Sequence, residues 1–503
     1  MATLEDIITT NIVLTRSQLR ADKKLVMEIQ SKLANLGFYP GGGWIDGDIG
    51  NDGRDTFTWK GLGTFCQALG LTGLPTTAIA INKAIAQKLL STKQVDSVLK
   101  TATQSSILAR LQAIQNKSPI VNGNTPGSGF VARTLAKSPF QSFVADYPTF
   151  LAQKPDGTTI ISYGDSFTLS TGTVVNFSDY PDLGEKPTID NNGLSFLSSN
   201  ISHACLCIGS FSDGGSQIKA HWLGKNALNS TNLWWSTSKF IGVLNAVCQI
   251  NQKSINTDVD DCVIIKSAST RYRFHDLVKD MVSYQGLSSS NAIGVLFKSF
   301  TKREVLSNWI KQLTGNNTLD FRGSYASDPL VSPAEVTDTT LRMGNPVLSS
   351  TDLGAATDTN SLAAYDLVRL ISMLGWHLHL PATAKLPSAQ WKSLESVVRA
   401  MGHDTARYVD VALETLGVVN VIGEPVIISK VGWGDISATS GSMTYTAFVK
   451  FVDRRFTPGK LRTFAFTLRC PTPMSSGNFD GRDTNLAVAV TEIIRRILTE
   501  ELA

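Results

Sequence analysis

Residues 234–244 read WWSTSKFIGVL, which places a serine and a lysine three residues apart at the start of an apolar helix. That spacing brings Ser236 and Lys239 to one face of a helix. A serine hydroxyl is a poor nucleophile at neutral pH unless a base takes its proton, and a lysine serves when burial or a neighbouring cation lowers its pKa. The stretch therefore predicts a nucleophile with its base, although Ser-x-x-Lys alone occurs often by chance.

The segments around this helix predict strands contributed by both ends of one domain. A hairpin is predicted before it, with strands at 203–208 and 218–222 and a turn at 213–215. After a mainly helical stretch, which extends to about residue 415, the pattern predicts three strands and a closing helix, at 425–429, 443–452, 463–469 and 486–498. This order predicts an α+β domain in which a helical region packs beside a five-stranded antiparallel sheet.

Two further polar motifs follow the Ser-x-x-Lys stretch. Residues 287–292 read LSSSNA and precede an apolar run; we align them as a Ser-x-Asn loop on Ser289 and Asn291, with a shift of one residue left open. Residues 429–434 read SKVGWG and end an apolar strand that precedes a partner strand. The three motifs are thus spread along the chain and must be brought together by the fold.

In this order the motifs resemble the active-site elements of serine β-lactamases and penicillin-binding proteins. The segment 360–371 also resembles the helix that follows the omega loop in that family, and the resemblance covers about residues 195–503. It implies acyl transfer through a covalent ester, with no cofactor and no metal.

The resemblance implies a role for each motif residue, all around one cleft. The catalytic residues would be the acylated nucleophile Ser236, its base or proton relay Lys239, the proton donor to the leaving group Ser289, the substrate-orienting Asn291, and Lys430, which would attract a substrate carboxylate. The backbone N–H groups of Ser236 and Trp433 would form the oxyanion hole. Gly432, next to Trp433, would belong to the strand that binds the substrate.

Two departures from the family pattern limit the substrates that we expect. Val431 replaces a hydroxyl residue that normally helps to hold a terminal substrate carboxylate. The Glu-x-x-Asn element with which class A β-lactamases activate water is not found in the sequence. Glu335 is the nearest acidic candidate for its glutamate, but the residues around Glu335 do not match the element. Efficient β-lactamase activity is therefore not expected.

The N-terminal region carries a separate pattern. Residues 29–39, IQSKLANLGFY, predict the end of an amphipathic helix over 22–37, and 42–50, GGWIDGDIG, predict a glycine-rich turn before a second helix. With Phe57 and the glycine at 70, these landmarks resemble the type 1 peptidoglycan-binding domain. The resemblance implies binding of peptidoglycan or muropeptides, and its candidate residues are Tyr39, Trp44, Asp46 and Gly47.

Two alternatives bear on this region. A helical spacer that no longer binds glycan is the first. A calcium loop starting at Asp46 is the second, but its fifth position would be Gly50 and no glutamate stands at its twelfth position, so the spacing does not fit a calcium ligand set.

Length and composition set the remaining limits. A chain of 503 residues exceeds what one core usually organises, so a multidomain arrangement is expected, with a small all-α module over 1–118, a connector with short strands over 119–194 and the α+β domain over 195–503. The net charge is only +4 and no basic stripe interleaved with aromatics is present, which argues against nucleic acid as a partner.

No apolar run is long enough to span a membrane, and the N-terminus carries no signal-peptide pattern. The six cysteines form neither a disulfide framework nor a paired zinc motif, and the alternating His377 and His379 lack a third ligand in sequence. The oligomeric state stays open.

The leading hypothesis is a serine hydrolase that acts on wall peptides. It would work in the cell wall, in the periplasm or outside the cell. The protein would get there after removal of a leader, by lysis or in a phage-like particle. The alternatives are a catalytically silent wall-binding protein on the same scaffold, and a β-lactamase or other amide or ester hydrolase.

Overall fold

The structure is a computed structural model, and it describes residues 2–36, 38–39, 45–49, 57–69, 71, 81–92, 107, 111, 129–212, 217–265, 270–341, 346–351, 359–437, 440–473 and 479–503. Several predicted features lie outside these residues: Trp44, Gly50, the glycine at 70 and the turn at 213–215.

The helices and strands are distributed along the described chain from Leu4 to Leu498. The α-helices are α1 (Leu4–Thr10), α2 (Arg16–Ala21), α3 (Lys23–Asn35), α4 (Phe57–Ala68), α5 (Lys83–Ser91), α6 (Tyr147–Ala152), α7 (Phe240–Lys253), α8 (Phe274–Ser283), α9 (Ser290–Ser299), α10 (Arg303–Thr314), α11 (Ala364–Gly375), α12 (Trp391–Met401), α13 (Tyr408–Thr415) and α14 (Phe479–Leu498). The strands are β1 (Ile160–Ile161), β2 (Ser166–Thr168), β3 (Val174–Asn176), β4 (Ser178–Asp179), β5 (His203–Phe211), β6 (Ile218–Lys225), β7 (Cys262–Ile265), β8 (Arg271–Arg273), β9 (Asp320–Phe321), β10 (Glu335–Asp338), β11 (Leu348–Ser349), β12 (Asn360–Ser361), β13 (Ile422–Ser437), β14 (Ser440–Asp453) and β15 (Gly459–Pro473).

The large sheet is assembled from both ends of the α+β region, as the strand order predicted. Its strands lie in the order β13-β14-β15-β5-β6-β4, and β1 pairs in parallel with β15. The prediction of five strands was therefore wrong by two. Both additional strands, β1 and β4, come from the stretch predicted as a connector, where two-residue segments acquire strand geometry only by pairing with a longer neighbour.

Helices cover both faces of this sheet. Because successive side chains of a strand point to opposite faces, one strand contributes to the core on each side. On β15, Phe464 and Phe466 belong to the core cluster that includes α14, whereas Ala465 belongs to the cluster that includes α11. The longest strands are thus apolar on both faces. Among the described residues, no helix is long and apolar enough to cross a membrane.

Helices α7 to α10 and α12 form the helical region beside the sheet. Gly242 on α7 permits close packing of α7 against α9, because a Cβ there would lie 3.2 Å from the backbone nitrogen of Lys298. A four-stranded sheet of order β11-β10-β7-β8 lies in the same region and was not predicted, since its strands are only two to four residues long.

Candidate active site

The predicted nucleophile lies on a tight 3-10 turn, Trp235–Ser238, immediately before α7. Trp235 has a φ of 52°, in the left-handed region that bulky residues rarely occupy. Its indole nitrogen donates to Ser442 Oγ at 2.7 Å, and the indole nitrogen of the buried Trp234 donates to the Leu362 carbonyl at 2.8 Å. Two anchored tryptophans therefore hold the turn that presents Ser236.

Strand β13 passes directly beside this turn. A Cβ on Gly432 would lie 2.6 Å from the backbone nitrogen of Thr237 and 2.7 Å from the carbonyl oxygen of Trp234, so only glycine fits. The hydroxyls of Thr237 and Thr444 are 2.6 Å apart, and Thr444 Oγ1 also donates to the Gly432 carbonyl at 3.1 Å. The turn and the strand are thereby locked together.

Lys239 is almost fully buried, with 1% of its surface exposed. Its amine donates to Ser290 Oγ at 3.1 Å and to Asn291 Oδ1 at 2.6 Å. Burial, followed by the positive charge of Lys430, lowers the pKa of Lys239 to about 6. The amine is therefore largely uncharged at neutral pH and is able to accept a proton.

The serine that contacts Lys239 is Ser290 and not Ser289. Ser290 is buried and also donates to the Met281 carbonyl at 2.9 Å. Ser289 is exposed and caps α9, accepting a hydrogen bond from the Ala292 backbone nitrogen at 3.1 Å. The hydroxyl beside Lys239 therefore comes from Ser290, one residue after the serine on which the Ser-x-Asn alignment was placed. The alignment had left this shift open.

Lys430 is buried on β13, close enough to Lys239 for its charge to act on the pKa of that amine. Its own amine donates to Tyr284 Oη at 2.8 Å and to the Val431 carbonyl at 2.7 Å. The Val431 side chain is itself fully buried. Lys430 is therefore part of the constellation, but it is engaged by a tyrosine that the sequence did not single out.

These elements border one cleft of about 420 Å³. Its lining residues come from the nucleophile turn, the start of α9, β13 and the segments around β9 and β12: Asn232, Trp235, Ser236, Asn291, Ser324, Tyr325, Ala326, Thr359, Asn360, Trp433 and Gly434. The size suits a small ligand or a short peptide segment. Ser236 Oγ makes no hydrogen bond to any described residue and lines this cleft.

Tyr284 and Tyr325 are residues of the site that the sequence did not indicate, and Ser290 was indicated only as a one-residue shift of the Ser-x-Asn alignment. Tyr325 Oη lies 3.1 Å from Ser238 Oγ, and the Tyr325 ring centroid lies 5.3 Å from the Lys239 amine. Neither tyrosine belongs to a motif with diagnostic spacing, whereas the serine run at 288–290 carried a usable signal for Ser290.

Three described candidates of the N-terminal region, Tyr39, Asp46 and Gly47, lie around the side chain of Gln30. Gln30, which is fully buried, accepts from the Gly47 backbone nitrogen at 2.8 Å and lies 3.1 Å from Tyr39 Oη and 3.0 Å from Asp46 Oδ1. Gly47 has a φ of 74°, and a Cβ there would meet Lys23. Tyr39 and Gly47 are buried, so of these three only Asp46 is exposed.

The histidines considered for zinc and the acidic residue considered for water activation do not line the cleft. His379 Nε2 lies 2.6 Å from the Leu151 carbonyl, His377 stacks against Trp391, and burial lowers the pKa of both histidines to about 4. Glu335 lies on β10 in the small sheet. Within the described part of the chain, no three His, Cys, Asp or Glu side chains are grouped as a metal site would require.

No family model and no curated protein matches the sequence. Among solved structures, the chain is similar to the C-terminal domain of the BlaR penicillin receptor of Bacillus licheniformis, with 8% identity and a TM-score of 0.33 over 62% of this chain and 97% of that one. It is also similar to a class D β-lactamase of Fusobacterium nucleatum, with 12% identity and a TM-score of 0.29 over 59% and 93% of the two chains. A third is a peptidoglycan synthetase of Bifidobacterium adolescentis, with 11% identity and a TM-score of 0.30 over 60% and 58%; the chain thus spans little more than half of that protein.

Proposed function

We propose that this chain is a serine hydrolase of the β-lactamase and penicillin-binding-protein type, which cleaves or transfers amide bonds of peptidoglycan peptides through an acyl-enzyme. One observation carries the proposal: the buried amine of Lys239, whose pKa is lowered to about 6, contacts Ser290 and Asn291 at the edge of the cleft that Ser236 lines. A base with that pKa suits proton removal from a serine hydroxyl near neutral pH.

The proposed reaction has two halves. Ser236 Oγ attacks the substrate carbonyl and its proton passes to Lys239, while the backbone N–H groups of Ser236 and Trp433 hold the oxyanion. Collapse of the tetrahedral intermediate expels the amine, which takes a proton from Lys239 by way of the Ser290 hydroxyl. Water or a second amine then attacks the ester and regenerates Ser236.

Covalent labelling tests this proposal. The intact protein is incubated with a fluorophosphonate and, separately, with a fluorescent penicillin, and the labelled residue is found by peptide mass spectrometry. We expect an adduct on Ser236 that disappears in Ser236→Ala and persists in Ser289→Ala, a control on the exposed serine of the neighbouring loop. Absence of any Ser236-dependent adduct would refute the enzymatic proposal.

The alternative is a catalytically silent protein that binds wall peptides in the same cleft. The observation that favours it is the lack of a hydrogen bond between Ser236 Oγ and any described residue, including Lys239. Because a catalytic contact of this kind is often formed only in the substrate complex, the labelling experiment decides between the two.

For the N-terminal region we propose a tether to peptidoglycan, which would raise the local concentration of an insoluble substrate and would place the protein at the cell wall. Sacculi binding of the intact Ser236→Ala chain provides the test, since that variant cannot attach covalently through the serine. We expect retention on purified sacculi and its loss in the additional variant Gln30→Ala, which removes the hydrogen bonds to Tyr39 and Gly47. Equal retention of the two chains would refute the tether.

A further inference from the structure

The cation that could attract a substrate carboxylate is already engaged within the protein. The Lys430 amine has three N–H donors, and two of them point to Tyr284 Oη and the Val431 carbonyl. A carboxylate in a partly enclosed cleft needs donors from a cation to offset its loss of hydration. Lys430 therefore has fewer N–H donors available to a substrate carboxylate than a lysine whose amine faces the cleft.

Tyr284 is held in place for this contact. It follows α8 with a φ of 54°, its backbone nitrogen donates to the Asp280 carbonyl at 2.9 Å, and its ring centroid lies 5.6 Å from that of Trp433 on β13. The tyrosine therefore bridges the helical region and the strand that borders the cleft, with its hydroxyl directed at the Lys430 amine.

The lining of the cleft is uncharged and partly aromatic. None of the described residues that border it carries a formal charge, and the indole rings of Trp235 and Trp433 contribute apolar surface. The next residue along β13 from Lys430 is Val431, which presents no hydroxyl and is buried. On the other side of Lys430, the hydroxyl of Ser429 donates to the buried carboxyl of Asp404 at 2.8 Å.

We infer that Tyr284 sequesters the Lys430 amine, so that the cleft selects acyl donors whose leaving group ends in a neutral amide or ester rather than a free carboxylate. The substrate class would thus be an internal or amidated peptide bond, not a peptide bond next to a chain end. This inference rests on the proposed acyl-enzyme function and specifies its substrate.

A matched pair of thioesters tests the inference on the intact protein. One probe is an N-acetyl-D-alanyl thioester whose leaving group is thioglycolate. The other is the same thioester with thioglycolamide as the leaving group. The two leaving groups differ only at their end, which is a carboxylate in the first probe and an amide in the second. Thiol release gives kcat/KM for each. We expect the wild-type protein to prefer the amide at least tenfold.

The variant Tyr284→Phe keeps the ring against Trp433 and removes the hydroxyl that accepts from Lys430. We expect kcat/KM for the carboxylate thioester to rise at least fivefold, with the value for the amide unchanged within twofold. Tyr272→Phe, on β8, is the matched control and should change neither value.

The outcomes separate this inference from the proposed function. A preference of the wild-type protein for the carboxylate, equal rates with the two thioesters, or no gain in Tyr284→Phe would overturn the assignment to Tyr284 and leave the acyl-enzyme in place. Failure of both thioesters to release thiol in a Ser236-dependent manner would overturn the proposed function, and the inference with it.

Discussion

The amine of Lys239 lies 2.6 Å from the amide oxygen of Asn291, and this contact joins the residue that caps α7 to the first turn of α9. Asn291 also lines the cleft, so one side chain touches both the proposed base and the space for a substrate. A substrate that hydrogen-bonds to the Asn291 amide would change the hydrogen bonds of the Lys239 amine. The base and the binding surface are therefore coupled through a single residue.

Replacement of Lys239 by methionine should abolish rapid acylation. Since general acid–base groups contribute about 10²–10⁴-fold to rate, we expect a loss of that order in the rate of Ser236 labelling. Lys450→Met is the matched control, because Lys450 is also a buried lysine but lies on β14 and donates to the Phe150 and Gln153 carbonyls. A similar loss in both variants would point to damage to the fold instead of loss of a base.

The pH dependence of acylation should follow the protonation of Lys239. Below its pKa of about 6 the amine is charged and is unable to accept a proton, whereas above that value it is free to do so. The rate of Ser236 labelling should therefore fall about tenfold per pH unit below the pKa and level off above it. A rate that still rises through pH 9 would contradict a base with a lowered pKa.

The same group predicts how stability depends on pH. The folded-state pKa of Lys239 is about 6, against 10.5 for an ordinary lysine, so between these two values the unfolded chain binds more protons and this group makes stability rise with pH. Methionine does not titrate. We expect the stability of Lys239→Met, relative to wild type, to be greater at pH 7 than at pH 9 in urea unfolding. A difference that does not change with pH would contradict the lowered pKa.

The two neighbouring serines should respond differently to removal of their hydroxyls. Ser290→Ala deletes the group that accepts from Lys239, and we expect acylation to slow about tenfold to a hundredfold. Ser289→Ala deletes the helix cap and should cost about 1 kcal/mol of stability with little effect on acylation. Labelling rates and urea unfolding of the two variants measure both effects, and a slower reaction in Ser289→Ala alone would restore the original alignment.

A methyl group at Gly432 should separate the strand from the nucleophile turn. The atoms it would meet are backbone atoms of Thr237 and Trp234, which are unable to rotate away, so we expect a loss of about 1–3 kcal/mol in stability together with slower acylation. Gly63→Ala in α4 is the control, because nothing lies within 4 Å of a Cβ there. That helical substitution should instead stabilise the protein by about 0.5–1 kcal/mol. Unchanged stability in Gly432→Ala would show that the strand is free to move aside.

The sequence predicted the parts of the fold that depend on local pattern. The two strands of the hairpin and the three long C-terminal strands carry enough apolar residues to be recognised singly, and their order predicted one shared sheet. Strands β1 and β4 have only two residues each, so their strand geometry comes from pairing with β15 and β6 and not from their own composition.

The candidate site was predictable to the extent that its residues lie in spaced motifs. Ser236, Lys239, Asn291 and Lys430 were named in this way. The Ser-x-Asn spacing points to Ser289 in a run of three serines, and only the contact with Lys239 distinguishes Ser290. The hydrogen bond between Lys430 and Tyr284 joins residues from distant parts of the chain, and no local pattern signals it.

The position of β15 links the site to a strand that follows all the proposed catalytic residues in sequence. Among the described strands, β15 lies between β14 and β5, so within the sheet it connects the hairpin that leads into the Ser236 turn with β14 and β13, the strand that carries Lys430 and Trp433. A nascent chain released before Gly459 would hold every proposed catalytic side chain and yet lack the strand that sets them face to face. Reactivity would thus begin only after β15 has been synthesised, and adding this strand in trans to a chain shortened before Gly459 would be expected to restore it.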